Sequence, residues 1–274
     1  MNAAMPTVEA TDTAIPEDRA HSLFRWNAVL AALHGIQGLI ILALSFARDP
    51  IVTAPVVTSY LSFDEATSSL VQAQRELFEL PIGPAVATFF FMSEIGHALL
   101  AGPLGRGYEG RLASGIQPKR WSEYALSSSV MIVVIAALSG IQEIGTLVAI
   151  FGINAAMNLF GWSMESANQG RTKVQWNHYI FGCIAGIVPW IVIGIALWSA
   201  STEPGAEPIP GFVFAIFATL FVAFNVFAIT MILQYGKIGR WRDYLVGEKT
   251  YMFLSLFAKT LLAWQVFAGT LAPN

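Results

Sequence analysis

Seven apolar runs, each long enough to cross a bilayer, constrain this chain more than any other feature. They lie at about 26–46, 82–102, 121–141, 144–164, 179–199, 211–235 and 251–271. A spanning helix needs about 20 mostly apolar residues, and in hydrocarbon a helix satisfies its own backbone hydrogen bonds. In a soluble bundle, seven such runs would leave no polar face for water. Only 12% of residues are charged, about half the share of an ordinary soluble domain. The expected fold is therefore all-α: a seven-transmembrane helix bundle over 25–274 in a lipid bilayer, preceded by a polar segment over 1–24. That segment lacks a basic stretch leading into a short apolar run, so no cleaved signal peptide is expected.

The connections carry further information. Gln142-Glu143 is so short that the third and fourth spans must be antiparallel neighbours. The first connection, about 47–81, is long. Its β-branched pieces Ile51-Val52-Thr53 and Val56-Val57-Thr58 predict a small β-hairpin outside the bilayer. The stretches Gly102–Arg120, Ser201–Pro210 and Gly236–Lys249 read as loops. A net charge of −3 argues for no nucleic-acid partner, and the single cysteine, Cys183, excludes an intrachain disulfide.

Loop lysines and arginines resist translocation and so predict orientation. Arg19, Arg25, Arg106, Arg111, Lys119, Arg120, Arg171, Lys173, Lys237, Arg240, Arg242 and Lys249 lie on the side of the N-terminus. Arg48 and Arg75 lie on the other. This places the N-terminus in the cytoplasm and the C-terminus outside, with the hairpin in the first extracellular loop.

A charged side chain at mid-bilayer costs about 2.5–3.5 kcal/mol on insertion scales, so each one is a candidate functional group. Lys259 lies near the middle of the seventh span, roughly 12 Å in from Tyr251 at about 1.5 Å per residue. A buried lysine is the residue type that forms a Schiff base with an aldehyde; a structurally paired lysine is the alternative. Glu123, just inside the third span, leans toward the level of Lys259 because helix side chains tilt toward their own N-terminus. It fits a counterion, or an interfacial glutamate paired with Arg120 or Lys119. His34 and His97 fall in the same half of the membrane, and Glu94 shares a face with His97 at a spacing of three. Together they predict a polar pocket able to hold a transient proton. The outer half has only Ser139, Thr219, Asn225, Gln265 and Thr270, with no acid deep in it. No nucleophile motif surrounds Ser127, Ser128 and Ser129, and no H-E-x-x-H occurs, so no enzymatic activity is expected.

Several stretches resemble one known family. Trp121-Ser122-Glu123-Tyr124-Ala125-Leu126-Ser127-Ser128-Ser129-Val130-Met131 is similar to the third helix of heliorhodopsins. Phe151-Gly152-Ile153-Asn154-Ala155-Ala156-Met157 with Phe160-Gly161-Trp162 resembles the fourth, and Phe181-Gly182-Cys183 through Pro189-Trp190 the fifth. Leu233-Gln234-Tyr235, Trp241, Tyr244, Gly247-Glu248 and Ser255-Leu256 through Ala258-Lys259 and Trp264-Gln265 resemble the sixth and seventh. The resemblance covers about 24–273.

It implies a light-sensing photoreceptor with all-trans retinal bound covalently at Lys259 and Glu123 as counterion. Ser255, Ser127, Ser128, Met131, Asn154, Trp190, Phe224 and Met231 would contact the chromophore. His34, His97, Glu94, Tyr124, Gln37 and Ser93 would form the polar cavity, although Glu94 departs from the family pattern. The family further implies a homodimer, a slow photocycle, no net ion transport, and an unidentified cytoplasmic or membrane signalling partner. The competing reading is a light-gated proton channel or a light-driven ion transporter.

Overall fold

The computed structural model describes residues 15–205 and 209–271. Its elements are α1 (Glu17–Phe46), β1 (Thr53–Asp64), β2 (Ser69–Pro81), α2 (Ile82–Ala101), α3 (Arg106–Ala113), α4 (Pro118–Leu138), α5 (Ile144–Asn168), α6 (Asn177–Thr202), α7 (Gly211–Tyr235) and α8 (Tyr244–Val266). A 3₁₀ turn, Gly239–Arg242, precedes α8, and a π turn, Phe267–Leu271, follows it. Seven of the helices, all but α3, are long and apolar enough to span a membrane. The expected spans are thus present, and the molecule is a multi-pass membrane protein.

Several helices run past the spans read from hydropathy. α1 begins at Glu17, so residues 17–24 of the expected polar segment are helical, while 1–14 lie outside the described residues. α5 extends to Asn168, and α8 starts at Tyr244, one residue after Asp243 caps it by accepting from the Leu245 amide at 2.9 Å. These extra turns bring Glu165 and Glu248 into the bundle.

The hairpin is larger than the β-branched pieces alone suggest. Its two antiparallel strands pair from Thr53 with Pro81 to Asp64 with Ser69, with a register shift at Val56/Val57. β-Forming residues continue beyond those pieces through Tyr60, Phe63, Val71 and Phe78, and almost the whole connection pairs. Asp64 closes the turn, accepting from the Ala66 amide at 3.0 Å and the Thr67 hydroxyl at 2.9 Å. The Val57 amide donates to the Gln142 carbonyl at 2.9 Å, pinning the hairpin to the α4–α5 connection. That connection turns at Gly140, whose φ of +88° suits a residue without Cβ. Glu143 then caps α5, accepting from the Thr146 amide at 2.7 Å.

The stretch expected to be a loop between the second and third spans contains α3. Tyr108 and Leu112, one turn apart, bury against Leu23, Leu100 and Leu245, and this apolar footing fixes the short helix on the bundle. At the opposite end a large apolar core fills the space between helices, with Ile41, Phe89, Phe90, Ile132, Ile135, Leu220 and Leu262 buried.

Candidate retinal-binding site

Lys259 is buried where α8 crosses α4 and α2. Its Nζ donates to Ser255 Oγ, one turn earlier on α8, at 2.7 Å. Glu123 Oε1 lies 3.4 Å from the same nitrogen. Glu123 in turn accepts from Ser93 Oγ of α2 at 2.5 Å. Gly96 lets α2 approach α4 here, because a Cβ at that position would press on the Glu123 side chain. Ser127, fully buried, lies one turn from Glu123 on the same side of α4. The Tyr124 ring sits 5.5 Å from Lys259 Nζ, and its hydroxyl donates to the Tyr251 carbonyl at 2.8 Å.

On the other side of Lys259 a cavity of about 340 Å³ runs between α4, α5, α6, α7 and α8. Of the expected contacts, Ser255, Ser128, Met131, Trp190, Phe224 and Met231 line it, together with Tyr124. Asn154 stands behind the wall. Its amide donates to Ser128 Oγ at 2.8 Å and Ser129 Oγ at 3.0 Å, holding α5 against α4. Ser127 is likewise outside the lining. Further lining comes from Met157, Asn158, Gly161, Gly182, Gly186 and Phe227, which residue chemistry alone did not single out. Gly161 is required, since a Cβ there would run into the Trp121 ring. Trp190 makes edge contacts with Phe217, Phe221 and Phe224 at 5.4–5.7 Å.

This shape fits the implied chromophore. A volume of this size lies in the range of small-molecule sites. The sleeve is mostly apolar, as a polyene requires, and its one primary amine lies in the lining beside a carboxylate.

His34 and His97 pack with rings parallel and centroids 5.5 Å apart. His97 Nδ1 meets Asn27 Oδ1 at 2.8 Å. Both histidines lie on the α1–α2 side of Lys259, outside the cavity lining. Glu94 is half-buried on α2, its carboxylate against Gly35 of α1. Gln37 donates to its own helix at the Leu33 carbonyl, 3.3 Å away. The structure therefore brings Lys259, Glu123, Ser93, Ser255 and Tyr124 together and leaves Glu94 and Gln37 apart from them.

One group was misassigned from sequence. Arg120 was counted as a loop cation, but it is buried in the first turn of α4. It pairs with Glu165 at 2.5 Å and with Glu248, and its guanidinium lies over the Trp121 and Tyr251 rings at 4.8 and 4.4 Å. Tyr244 donates to Glu165 at 3.0 Å, and the Gln117 backbone N–H donates to Glu165 at 2.8 Å. Tyr108 donates to Glu248 at 3.1 Å; burial holds its phenol above the ordinary tyrosine range, so it stays a donor. The remaining loop cations still lie mostly on the N-terminal side. The signal for this cluster was the three-residue spacing of Arg120 and Glu123, which keeps both on the inner side of α4.

Comparison with known proteins identifies a family. No curated protein matches the chain. The model of one family, Heliorhodopsin, matches residues 23–271. That span takes in every spanning helix, and the chain accordingly belongs to the heliorhodopsin family of retinal-bearing, light-sensing membrane proteins.

Proposed function

We propose that this heliorhodopsin carries all-trans retinal as a Schiff base on Lys259 and acts as a sensory photoreceptor through a partner protein. The observation that carries the reading is the position of Lys259 Nζ, in the lining of an apolar cavity and 3.4 Å from Glu123. When bound, retinal supplies absorption of visible light and an isomerisation that displaces the charged nitrogen.

The residues do the rest. Glu123 holds the positive charge at Nζ, and Ser93 fixes the carboxylate by donating to it. Ser255 orients Nζ from its own helix. Tyr124, Met131, Trp190, Phe224 and Met231 wall the cavity and exclude water from it. His34 and His97 take up the transient proton in the pocket between α1 and α2. With the N-terminus in the cytoplasm, that pocket and the Arg120 cluster face the inside.

The opposite half supports a reading without net ion transport and with a slow photocycle. It is filled by the apolar core, and Thr219 and Gln265 pair with each other at 3.1 Å. A proton then leaves and returns on one side. The exposed apolar residues of the hairpin, such as Leu61, Phe63 and Leu70, suit a homodimer contact outside the membrane.

The experiment is expression with all-trans retinal, followed by a visible spectrum before and after hydroxylamine in light. A visible band that hydroxylamine removes is expected. A protein that stays colourless with retinal would refute the reading.

A further inference from the structure

The cavity beside Lys259 is mostly apolar, so the few polar atoms in its wall can be accounted for one by one. Ser128 of α4 lines it, yet its hydroxyl is saturated. It donates to the Tyr124 carbonyl at 2.7 Å and accepts from Asn154 Nδ2 at 2.8 Å and from Asn158 Nδ2 at 3.0 Å. A hydroxyl has one hydrogen and two lone pairs, so Ser128 has nothing left for a ligand.

Asn158 of α5 is buried in the same wall. Its Nδ2 carries two hydrogens. One goes to Ser128 Oγ and the other to the Asn154 carbonyl at 2.9 Å. A carbonyl only accepts, and the Ser128 hydrogen is already given to Tyr124, so the amide cannot be reversed. Oδ1 is then the polar atom that Asn158 presents to the cavity, and it has no partner among the described residues. An acceptor fixed at the edge of an apolar space is stabilised only by positive charge or a donor. The other amide in the lining, Asn225 of α7, is exposed at the bundle surface and held by one bond, to the Phe221 carbonyl.

Helix order gives the place of this acceptor along the cavity. α5 packs on α4 and α6, whereas α8 packs on α7 and α1. Asn158 therefore stands across the bundle from Lys259, with Tyr124 nearer the amine, its ring 5.5 Å from Nζ. A chromophore tethered at Nζ reaches this wall with the far part of its chain. In a charged polyene imine, light draws positive charge from the nitrogen toward that far part. A carbonyl oxygen fixed beside it, in a site of low dielectric, favours the excited state over the ground state. Glu123, at the nitrogen, does the opposite.

We infer that Asn158 is a colour-determining residue of this site, its Oδ1 moving the visible band to longer wavelength from the wall opposite Lys259. The inference rests on the retinal reading above and deepens it. Ser128 and the Asn154 carbonyl are the groups that aim this oxygen, since between them they take both Nδ2 hydrogens. Their bonds thus do more than hold α5 against α4.

The test has two arms on the full chain in bilayers. The first needs no chromophore. ¹⁵N NMR of labelled asparagine, with Asn158 assigned by its loss in Asn158→Leu, follows exchange of the side-chain hydrogens with solvent. Both hydrogens of Asn158 should exchange slowly, and Ser128→Ala should speed the exchange. Rapid exchange in the unaltered chain would show an amide free to turn and would overturn the inference.

The second arm is the visible spectrum and acid–base titration of the retinal-loaded chain. Asn158→Leu keeps the bulk and removes the acceptor. It should move the band to shorter wavelength and leave the titration midpoint of the charged nitrogen as in the parent. Asn158→Ala makes the same deletion should leucine prevent retinal binding. Asn154→Leu, behind the wall, keeps the backbone carbonyl that Asn158 uses and should leave the band close to the parent's. A band that stays in place in the Asn158 variants, or a midpoint that moves with it, overturns the inference and leaves the retinal reading standing. A parent that stays colourless with retinal overturns both.

Discussion

Glu123→Gln is the most informative single perturbation, because its size can be worked from one distance. Glu123 Oε1 lies 3.4 Å from Lys259 Nζ. At an effective dielectric of about 20, opposite unit charges at that separation attract by about 5 kcal/mol. Glutamine keeps the shape and a carbonyl dipole, and a hydrogen bond to a charged group recovers roughly 1.5–3 kcal/mol. The net loss at the charged nitrogen is therefore about 2–3.5 kcal/mol, or roughly one and a half to two and a half powers of ten in the ratio of charged to neutral form. Two consequences are expected in the absorption spectrum of the retinal-loaded protein. The visible band moves to longer wavelength, since a weaker counterion holds the charge less tightly to the nitrogen. A near-ultraviolet band from the neutral form grows at its expense. Lys259 and Ser255 are untouched, so retinal still binds. An unchanged spectrum would show that Glu123 is not the counterion, and the electrostatic argument would fail with it.

Other outcomes follow from the same coordinates. Arg120→Leu should lower stability by about 3–5 kcal/mol, because Glu165 and Glu248 would stay buried without their cation; the measurement is the thermal midpoint of the visible band, and a midpoint equal to the parent's would contradict it. Glu143 caps α5, and the Thr146 and Gly145 amides hold its carboxyl below the usual value of 4.5. A depressed carboxyl adds stability above its unfolded value and loses it as pH falls, so thermal stability should drop on acidification below about 4.5 in the parent and less in Glu143→Gln; equal acid sensitivity would refute the cap. Illumination should drive no steady photocurrent under voltage clamp, and a current whose reversal potential follows the proton gradient would replace the sensor with a channel.

How much of this was legible depended on the kind of signal. The seven spans were readable because lipid-facing helices must be apolar on every side, which leaves a long uninterrupted run. Lys259 and Glu123 were readable for the converse reason: a charge within such a run stands out. Arg120, Glu165 and Glu248 were not, since each lies at the edge of a run, where hydropathy cannot separate a buried ion cluster from a solvated helix end. Their burial depends on the extra turns of α5 and α8 and on α3, whose footing through Tyr108 and Leu112 is a tertiary contact. Asn27 was invisible because a lone amide near the start of a span reads as interfacial; only its contact with His97, 70 positions away, gives it meaning. Glu94 and His97, three residues apart on α2, both meet α1, Glu94 with its carboxylate against Gly35, while the bond to Glu123 comes from Ser93.

The central claim is that Lys259 carries the chromophore, and Lys259→Ala tests it most directly. The side chain is buried, and its loss leaves Glu123 with Ser93 as a hydrogen-bond partner, so the protein should still insert and be purified from membranes. Supplied with all-trans retinal, it should show no visible band while the parent does. A full-strength visible band in Lys259→Ala would contradict the account.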